Sequence, residues 1–137
     1  MATGICDSAY LITSIKHGPT PGAETELLFP TGFGVTETIE HLPIRAGTVL
    51  GPVCRPAITK DLTAWARNLD LDDVIAADTS GSLIITLKQA DGDSTVITIT
   101  TMKRGTVELE GTSAPYTKVT NFVHEGAMSS SPMSVTV

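Results

Sequence analysis

Alternation of apolar and polar residues is clearest in the second half of the chain. In residues 82–90 Leu and Ile occur at every second position, which makes one face of an extended strand apolar. The turn sequence Asp91-Gly-Asp93 follows, and residues 94–102 continue with the same alternation. The pattern predicts a β-hairpin built from the strands 82–90 and 94–102.

Shorter extended segments are predicted in the rest of the chain, each bounded by Gly, Pro, Ser or Asp. A long loop is expected around residues 17–36, because His17-Gly-Pro-Thr-Pro-Gly22 places two prolines and two glycines together. A short strand at 26–30 lies within it. The other predicted strands are residues 9–16, 36–44, 48–54, 106–110, 116–124 and 133–137.

One segment has helical spacing. Leu62, Trp65, Ala66 and Leu69 stand at i, i+3, i+4 and i+7, which gives one apolar stripe on a helix. Thr59 is a suitable N-cap residue, and the aspartates that follow residue 69 disfavour continuation of the helix, because they oppose the macrodipole at its C-terminus. The spacing predicts a helix over residues 59–69, and a second short helical turn is expected at 70–77.

Composition supports a mainly β fold. The chain of 137 residues contains 21 Thr, 12 Gly and 8 Pro, so strands joined by tight turns are favoured over helices. The length suits one domain, and no linker or fixed repeat divides it. We therefore expect a single domain over residues 1–137, folded as an antiparallel β-sandwich or open barrel with one flanking α-helix.

Charge and targeting signals exclude several functional classes. The formal net charge is −6, whereas a general nucleic-acid-binding module would be basic. No apolar stretch approaches the roughly 20 residues of a membrane span, and the N-terminus lacks the features of a signal peptide. Two cysteines, Cys6 and Cys54, do not make a disulfide framework, and reduced thiols are favoured over one bridge. Synthesis in a cytoplasm and no membrane association are expected.

No motif of catalysis or metal binding is evident. His17, His41 and His124 are scattered, so they are interpreted as surface or strand-edge residues and not as metal ligands. The aspartates at 70, 72, 73 and 78 lack the glycine and distal glutamate of a calcium loop. Nucleophile elbows and phosphate-binding loops are absent from the sequence. We expect neither enzymatic activity nor a bound cofactor or metal.

A domain without a chemical site usually acts through its surface. Four apolar side chains lie close together in the predicted loop around residues 17–36, and such side chains should be buried against something. They are the candidate residues of an oligomer interface: Leu27, Leu28, Phe29 and Phe33. Exposed strand edges could also pair with a second copy.

The hairpin resembles that of tailed-bacteriophage tail tube proteins. The similar residues are Gly81-Ser-Leu-Ile-Ile-Thr-Leu-Lys-Gln89 and Asp91-Gly-Asp93. The resemblance implies rings, usually of six subunits, stacked into a tube in the virion, with DNA as a transient cargo of the lumen. An acidic wall would release DNA easily. The polar residues of this hairpin are then candidates for lining the lumen: Thr86, Lys88, Asp91, Asp93, Thr98 and Thr100.

A second, shorter segment resembles another virion protein. Leu42-Pro-Ile-Arg-Ala-Gly-Thr-Val-Leu-Gly51 is similar to a run in phage capsid decoration proteins, which cement capsid surfaces. A capsid decoration or head–tail connector protein is therefore an alternative to the tail tube, as is a non-enzymatic ligand-binding β-sandwich. In the first two cases the partners are further copies of this chain and other virion proteins.

Overall fold

The computed structural model describes residues 10–48, 50–51, 54–72, 74–89, 92–111, 116–126 and 132–136. Within these residues the chain forms eight β-strands and no helix, which confirms the expected mainly β, antiparallel class. The strands are β1 Tyr10–Gly18, β2 Thr25–Glu26, β3 Pro30–His41, β4 Ala57–Asn68, β5 Ser80–Gln89, β6 Ser94–Glu110, β7 Thr117–His124 and β8 Met133–Thr136.

All eight strands belong to one sheet. Its strand order is β2-β1-β5-β6-β7-β4-β3, with every neighbouring pair antiparallel. β1 and β3 lie near opposite ends of this order, yet they also contact each other. The sheet therefore curls towards closure, as the right-handed twist of strands favours, and the inner face of the curl holds the core.

The longest strand, β6, organises the centre of the sheet. Its first half pairs with β5 on one side and with β8 on the other, and its second half pairs with β7. β7 and β8 thus lie on the same side of β6, one after the other. The backbone amide of Glu125 donates to the Thr101 carbonyl, and that of Thr100 donates to the Pro132 carbonyl, so both ends of the connection are attached to β6.

The core contains apolar side chains from five strands and from two connections, that between β2 and β3 and that between β4 and β5. They alternate along each strand, as a sheet with one buried face requires. Fully buried members include Ile15 of β1, Leu83 and Ile85 of β5, Ile99 and Met102 of β6, and Phe122 of β7. Ile75 joins them from the connection between β4 and β5.

The predicted helix over residues 59–69 is wrong, because this segment is the strand β4. Positions i and i+4 share a face in a helix and also in a strand, so the buried residues Leu62 and Ala66 fit either structure. The residues between them distinguish strand from helix: Ala64 is buried on the same face, as a strand requires, whereas Trp65 lies on the other face. Leu69, the last residue of the predicted stripe, is exposed. The short helical turn expected at 70–77 is also absent from the described part of that segment.

Several strand boundaries differ from the prediction. The long loop expected around residues 17–36 is shorter, because β1 reaches Gly18 and β3 already begins at Pro30. The strand expected at 48–54 is represented, among the described residues, by one isolated bridge between Ile44 and Cys54. The segment 106–110 is the end of β6 and not a separate strand. The predicted hairpin does form, as β5 and the first half of β6.

Candidate assembly surfaces

The outer face of the β5–β6 hairpin carries most of the candidate lumen residues. Thr86 and Lys88 of β5 and Thr98 and Thr100 of β6 point away from the core, while their neighbours Ile85 and Ile99 point into it. The register pairs Thr86 with Val96 and Lys88 with Ser94. The structure therefore brings these four side chains onto one face, together with the partly buried Ile84 and Val96, the register partners of Thr98 and Thr86. We call it the threonine face.

The other two lumen candidates belong to the turn of this hairpin. Asp93 is exposed just before β6 begins, and its backbone carbonyl accepts a hydrogen bond of 2.7 Å from the amide of Gln89. Asp91 lies outside the described residues. Gly92 has φ +99°, a value that glycine adopts without strain, which explains the glycine at this tight turn.

The four candidate interface residues separate into two groups. Leu27 is a core residue and not an interface residue: it is 1% exposed, and its amide donates to the Ile15 carbonyl. Phe33 is partly buried against the core. Leu28 and Phe29 are 45% and 67% exposed, so these two remain available to a partner. Their burial could not be read from the sequence, because it depends on how the chain turns between β2 and β3.

A projecting arm is the largest exposed feature that the sequence did not indicate. β4 pairs with both β3 and β7 from Thr63 to Asn68, but only with β3 closer to its start. We call residues 37–61 the arm: the distal parts of β3 and β4 and the connection between them. Wherever the structure describes burial between Glu37 and Asp61, the residue is exposed, with the exception of Gly51. The arm is therefore a two-stranded ribbon that extends past the body of the sheet.

Hydrogen bonds hold the arm together beyond the regular ladder. The His41 ring nitrogen Nδ1 donates to the Arg55 carbonyl at 2.9 Å, and the Leu42 amide donates to the Pro56 carbonyl at 2.9 Å. Cys54 is an exposed free thiol in the isolated bridge to Ile44; Cys6 lies outside the described residues. These contacts give the ribbon a defined shape although it has no core of its own.

The connection between β4 and β5, residues 69–79, covers the other end of β4. We call it the β4–β5 loop. Buried Asn68 donates from Nδ2 to the carbonyls of Leu28 and Asp70, at 3.0 and 3.2 Å. The Lys118 side chain, although its residue is only 1% exposed, extends to this loop and donates from Nζ to the Asp72 carbonyl. Two buried polar side chains thus fix the position of an otherwise exposed loop.

His17 is the third buried polar side chain with a defined partner. The expectation of a surface histidine is wrong, because His17 is 1% exposed and its ring lies 4.8 Å from that of Phe122. Nε2 donates to the Met102 carbonyl at 2.7 Å, while Nδ1 has no hydrogen-bond partner. Burial lowers the pKa of His17, and the hydrogen bond to Met102 opposes this shift only in part. The neutral Nε2–H tautomer fits this environment.

The sequence carried little signal for these buried polar residues. Lys118 shares its inward face with Thr120 and Phe122, and polar residues at alternate positions are normally interpreted as the solvent face. His17 follows apolar Ile15 on β1, but the prolines after it favoured a loop. Only the curl of the sheet determines which face is enclosed.

Metal-ligating side chains and surface grooves are the remaining places where a small molecule or ion could bind. The described residues include no group of three or more His, Cys, Asp and Glu side chains placed to hold a metal ion. An open groove of about 300 Å³ is lined by Pro19, Ser80, Gly81, Ser82, Thr100 and Thr101, with no titratable side chain among them. None of the described segments forms a helix long and apolar enough to cross a membrane.

Comparison with known proteins identifies a similar fold. No protein-family model matches the sequence, and no curated protein matches it. The fold is similar to that of a chain in the cryo-EM structure of the anti-feeding prophage baseplate, 6-fold symmetrised. The superposition covers 99% of this chain and 97% of that chain, with a TM-score of 0.62 and 11% sequence identity. The whole domain, and not one motif of it, therefore has this architecture.

Proposed function

We propose that this protein is a structural subunit of a phage-tail-like particle. The observation that carries the proposal is the similarity to a baseplate chain over nearly the full length of both molecules. The described surface agrees with a structural role, since its extended exposed features are strand faces, a ribbon and a loop. We propose further that the protein has no enzymatic activity, and that its partners are copies of itself and other proteins of the particle.

The finer proposal is that the subunits form rings stacked as a tail tube that conducts DNA. β3 ends the strand order, and within the described residues its arm portion pairs only with β4. Such an edge can be completed by a strand of a neighbouring copy. The six-fold symmetry of the baseplate structure favours a ring of six. The formal net charge of −6 would keep the phosphates of DNA from adhering to the wall.

In that ring the threonine face would line the lumen. Three of its side chains, Thr86, Thr98 and Thr100, are short and hydroxylated. Ile84 and Val96 are partly buried between them, and Lys88 is the one cation of the face. Short hydroxyl side chains give a smooth surface with few fixed charges, which suits the passage of a long polyanion. The exposed Asp93 in the adjacent turn would add negative charge at one end of this lining.

A second candidate is a baseplate component that binds the end of a tube without forming one. The similar chain belongs to a baseplate, which favours this alternative. The two proposals differ in a simple property, because a tube subunit continues to add copies, whereas a baseplate component stops at one closed assembly.

Electron microscopy of the purified protein over a concentration series distinguishes the two. We expect rings or tubes with a central hole, and a mass by light scattering that rises with concentration. A single closed ring at all concentrations would favour the baseplate component. A monomer at every concentration would contradict self-assembly, and a binding module would then be the better description.

The lumen assignment has its own test. Thr98→Cys in a background of Cys6→Ser and Cys54→Ser places one thiol on the threonine face. In the assembled form this thiol should react with a small maleimide and be protected from one carrying a large polymer. Thr59→Cys on the exposed arm serves as the control. Equal reaction of Thr98→Cys with both reagents would place the face on the outside and contradict the lumen role.

A further inference from the structure

The end of the arm combines exposed apolar side chains with positive charge. Leu42, Ile44 and Leu50 are 50%, 44% and 99% exposed. Residues 42–56 contain Arg45 and Arg55 and no acidic residue. The remaining residues of the chain carry seven Lys or Arg and fifteen Asp or Glu. We call the described residues of 42–56 the arm tip; it is a basic and apolar surface on a strongly acidic protein.

The β4–β5 loop has the complementary properties. Leu69, Leu71 and Val74 are 38%, 43% and 45% exposed. Four aspartates and no basic residue occur between positions 69 and 79. Unlike most exposed loops, this one is fixed, because the Lys118 ammonium and the Asn68 amide hold its backbone and Ile75 anchors it in the core. A fixed backbone reduces the entropy lost on binding.

The two surfaces lie at opposite ends of the same strand. β4 leaves the arm tip at Ala57 and reaches the loop after Asn68. Twelve residues of extended strand span roughly 40 Å at about 3.3 Å per residue. The arm tip therefore cannot reach the loop of its own chain, whereas the tip of another copy can.

We propose that the arm tip of one copy binds the β4–β5 loop of the next copy. The partner of the tip is a second copy of this chain, because the β4–β5 loop of that copy is a preformed surface that is apolar and opposite in charge to the tip. The contact is head to tail, so it repeats along the direction of β4 and does not close in a pair. This inference rests on the proposed self-assembly and names its axial contact, between one ring and the next.

Charge reversal on each side tests the contact. Arg55→Glu in the tip and Asp72→Lys in the loop should each weaken association at least about tenfold, because like charges then face each other. Each side chain is exposed. Lys60→Glu, on the arm but outside the tip, and Glu108→Lys, on β6, make the same charge changes elsewhere and should leave association within about twofold. Association is measured by light scattering and sedimentation at low salt.

Mixing the two variants gives the sharpest result. In a head-to-tail contact between the two variants, the now acidic tip of Arg55→Glu meets the now basic loop of Asp72→Lys. At the next contact, the unchanged tip of Asp72→Lys meets the unchanged loop of Arg55→Glu. An equimolar mixture should therefore recover assembly close to that of the wild type, as should the double variant. Leu71→Ser, which changes no charge, is a second loop variant in case Asp72→Lys disturbs folding, and it should also weaken association.

The outcomes separate this inference from the proposed function. Wild-type protein that assembles while Arg55→Glu, Asp72→Lys and Leu71→Ser assemble equally well would overturn the tip–loop contact and leave the tube or baseplate role standing. Weakened single variants that the mixture does not rescue would also overturn it. Wild-type protein that remains monomeric would overturn both proposals. Circular dichroism of each variant establishes that its fold is retained.

Discussion

β3 and β4 pass through two different environments, and the contrast separates what folds the protein from what is left for a partner. Within the body, Leu62, Ala64 and Ala66 of β4 are at most 3% exposed and pack in the core. In the arm, the same pair of strands exposes Ile39 at 41%. The backbone pairing is continuous through both regions. Pairing alone therefore does not explain the stability of the body, which depends on burial of one face against the other strands.

The largest change in stability is expected when one apolar residue is truncated in each region. Leu62→Ala should destabilise the fold by about 2–5 kcal/mol, because it removes a buried side chain and leaves a cavity. Ile39→Ala in the arm should change the free energy of unfolding by less than about 0.5 kcal/mol. Urea denaturation measures both. A loss of similar size for Ile39→Ala would show that the arm folds back on the body.

A second test compares two lysines. Lys118→Ala should cost about 2–3 kcal/mol, because it empties a buried volume and releases the Asp72 carbonyl from its partner. Lys60→Ala in the arm should have almost no effect. Lys118→Met restores the buried volume without the ammonium, so it should recover most of the stability. Faster amide hydrogen exchange confined to residues 69–79 in Lys118→Met would identify the ammonium as the anchor of the loop.

A third test probes the packing of β3 on β4 just before the arm begins. The Trp65 ring lies against Gly34, its register partner, and a Cβ on Gly34 would stand 2.2 Å from Trp65 Nε1. Gly34→Ala should therefore displace the indole and cost about 1–3 kcal/mol. Gly32→Ala is the matched control, because its Cβ would meet the same ring at an ordinary 3.5 Å. Combining Gly34→Ala with Trp65→Leu should remove most of the penalty if the ring is the cause.

The smallest expected effect is a pH dependence of the body that involves His17. Its pKa is lowered in the folded state, so between the unfolded value near 6.5 and the folded pKa the unfolded chain binds more protons. Stability should therefore fall on acidification below pH 6.5, by at most about 1.4 kcal/mol per pH unit from this residue. Denaturation of wild type and His17→Gln at several pH values measures the difference. An unchanged slope in His17→Gln would exclude His17 as the source.

Some of the fold was predictable from local pattern, and some was not. The β5–β6 hairpin was correctly expected, because alternation over two neighbouring segments and a glycine turn agree with each other. The segment of β4 instead has an apparent helical pattern, because Leu62 and Ala66 share a face in a helix as well as in a strand, and the small side chain of Ala64 is only a weak indication of strand alternation. The alternation of inward and outward side chains along the two strands also correctly predicts that Thr86 and Thr98 share one face of the hairpin. A sequence pattern cannot show where a sheet ends and a ribbon continues, so the arm was missed.

The succession of β7 and β8 along one side of β6 has a practical consequence for engineering. Both strands keep their own hydrogen bonds to β6, and Glu125 and Pro132, at the two ends of the connection between them, are hydrogen-bonded to β6 as well. Because the register of each strand is set independently of the connection, extra residues placed within it need not shift either ladder. A peptide inserted between Glu125 and Pro132 should therefore leave both ladders in register, and an assembly of many copies would carry that peptide at regular spacing.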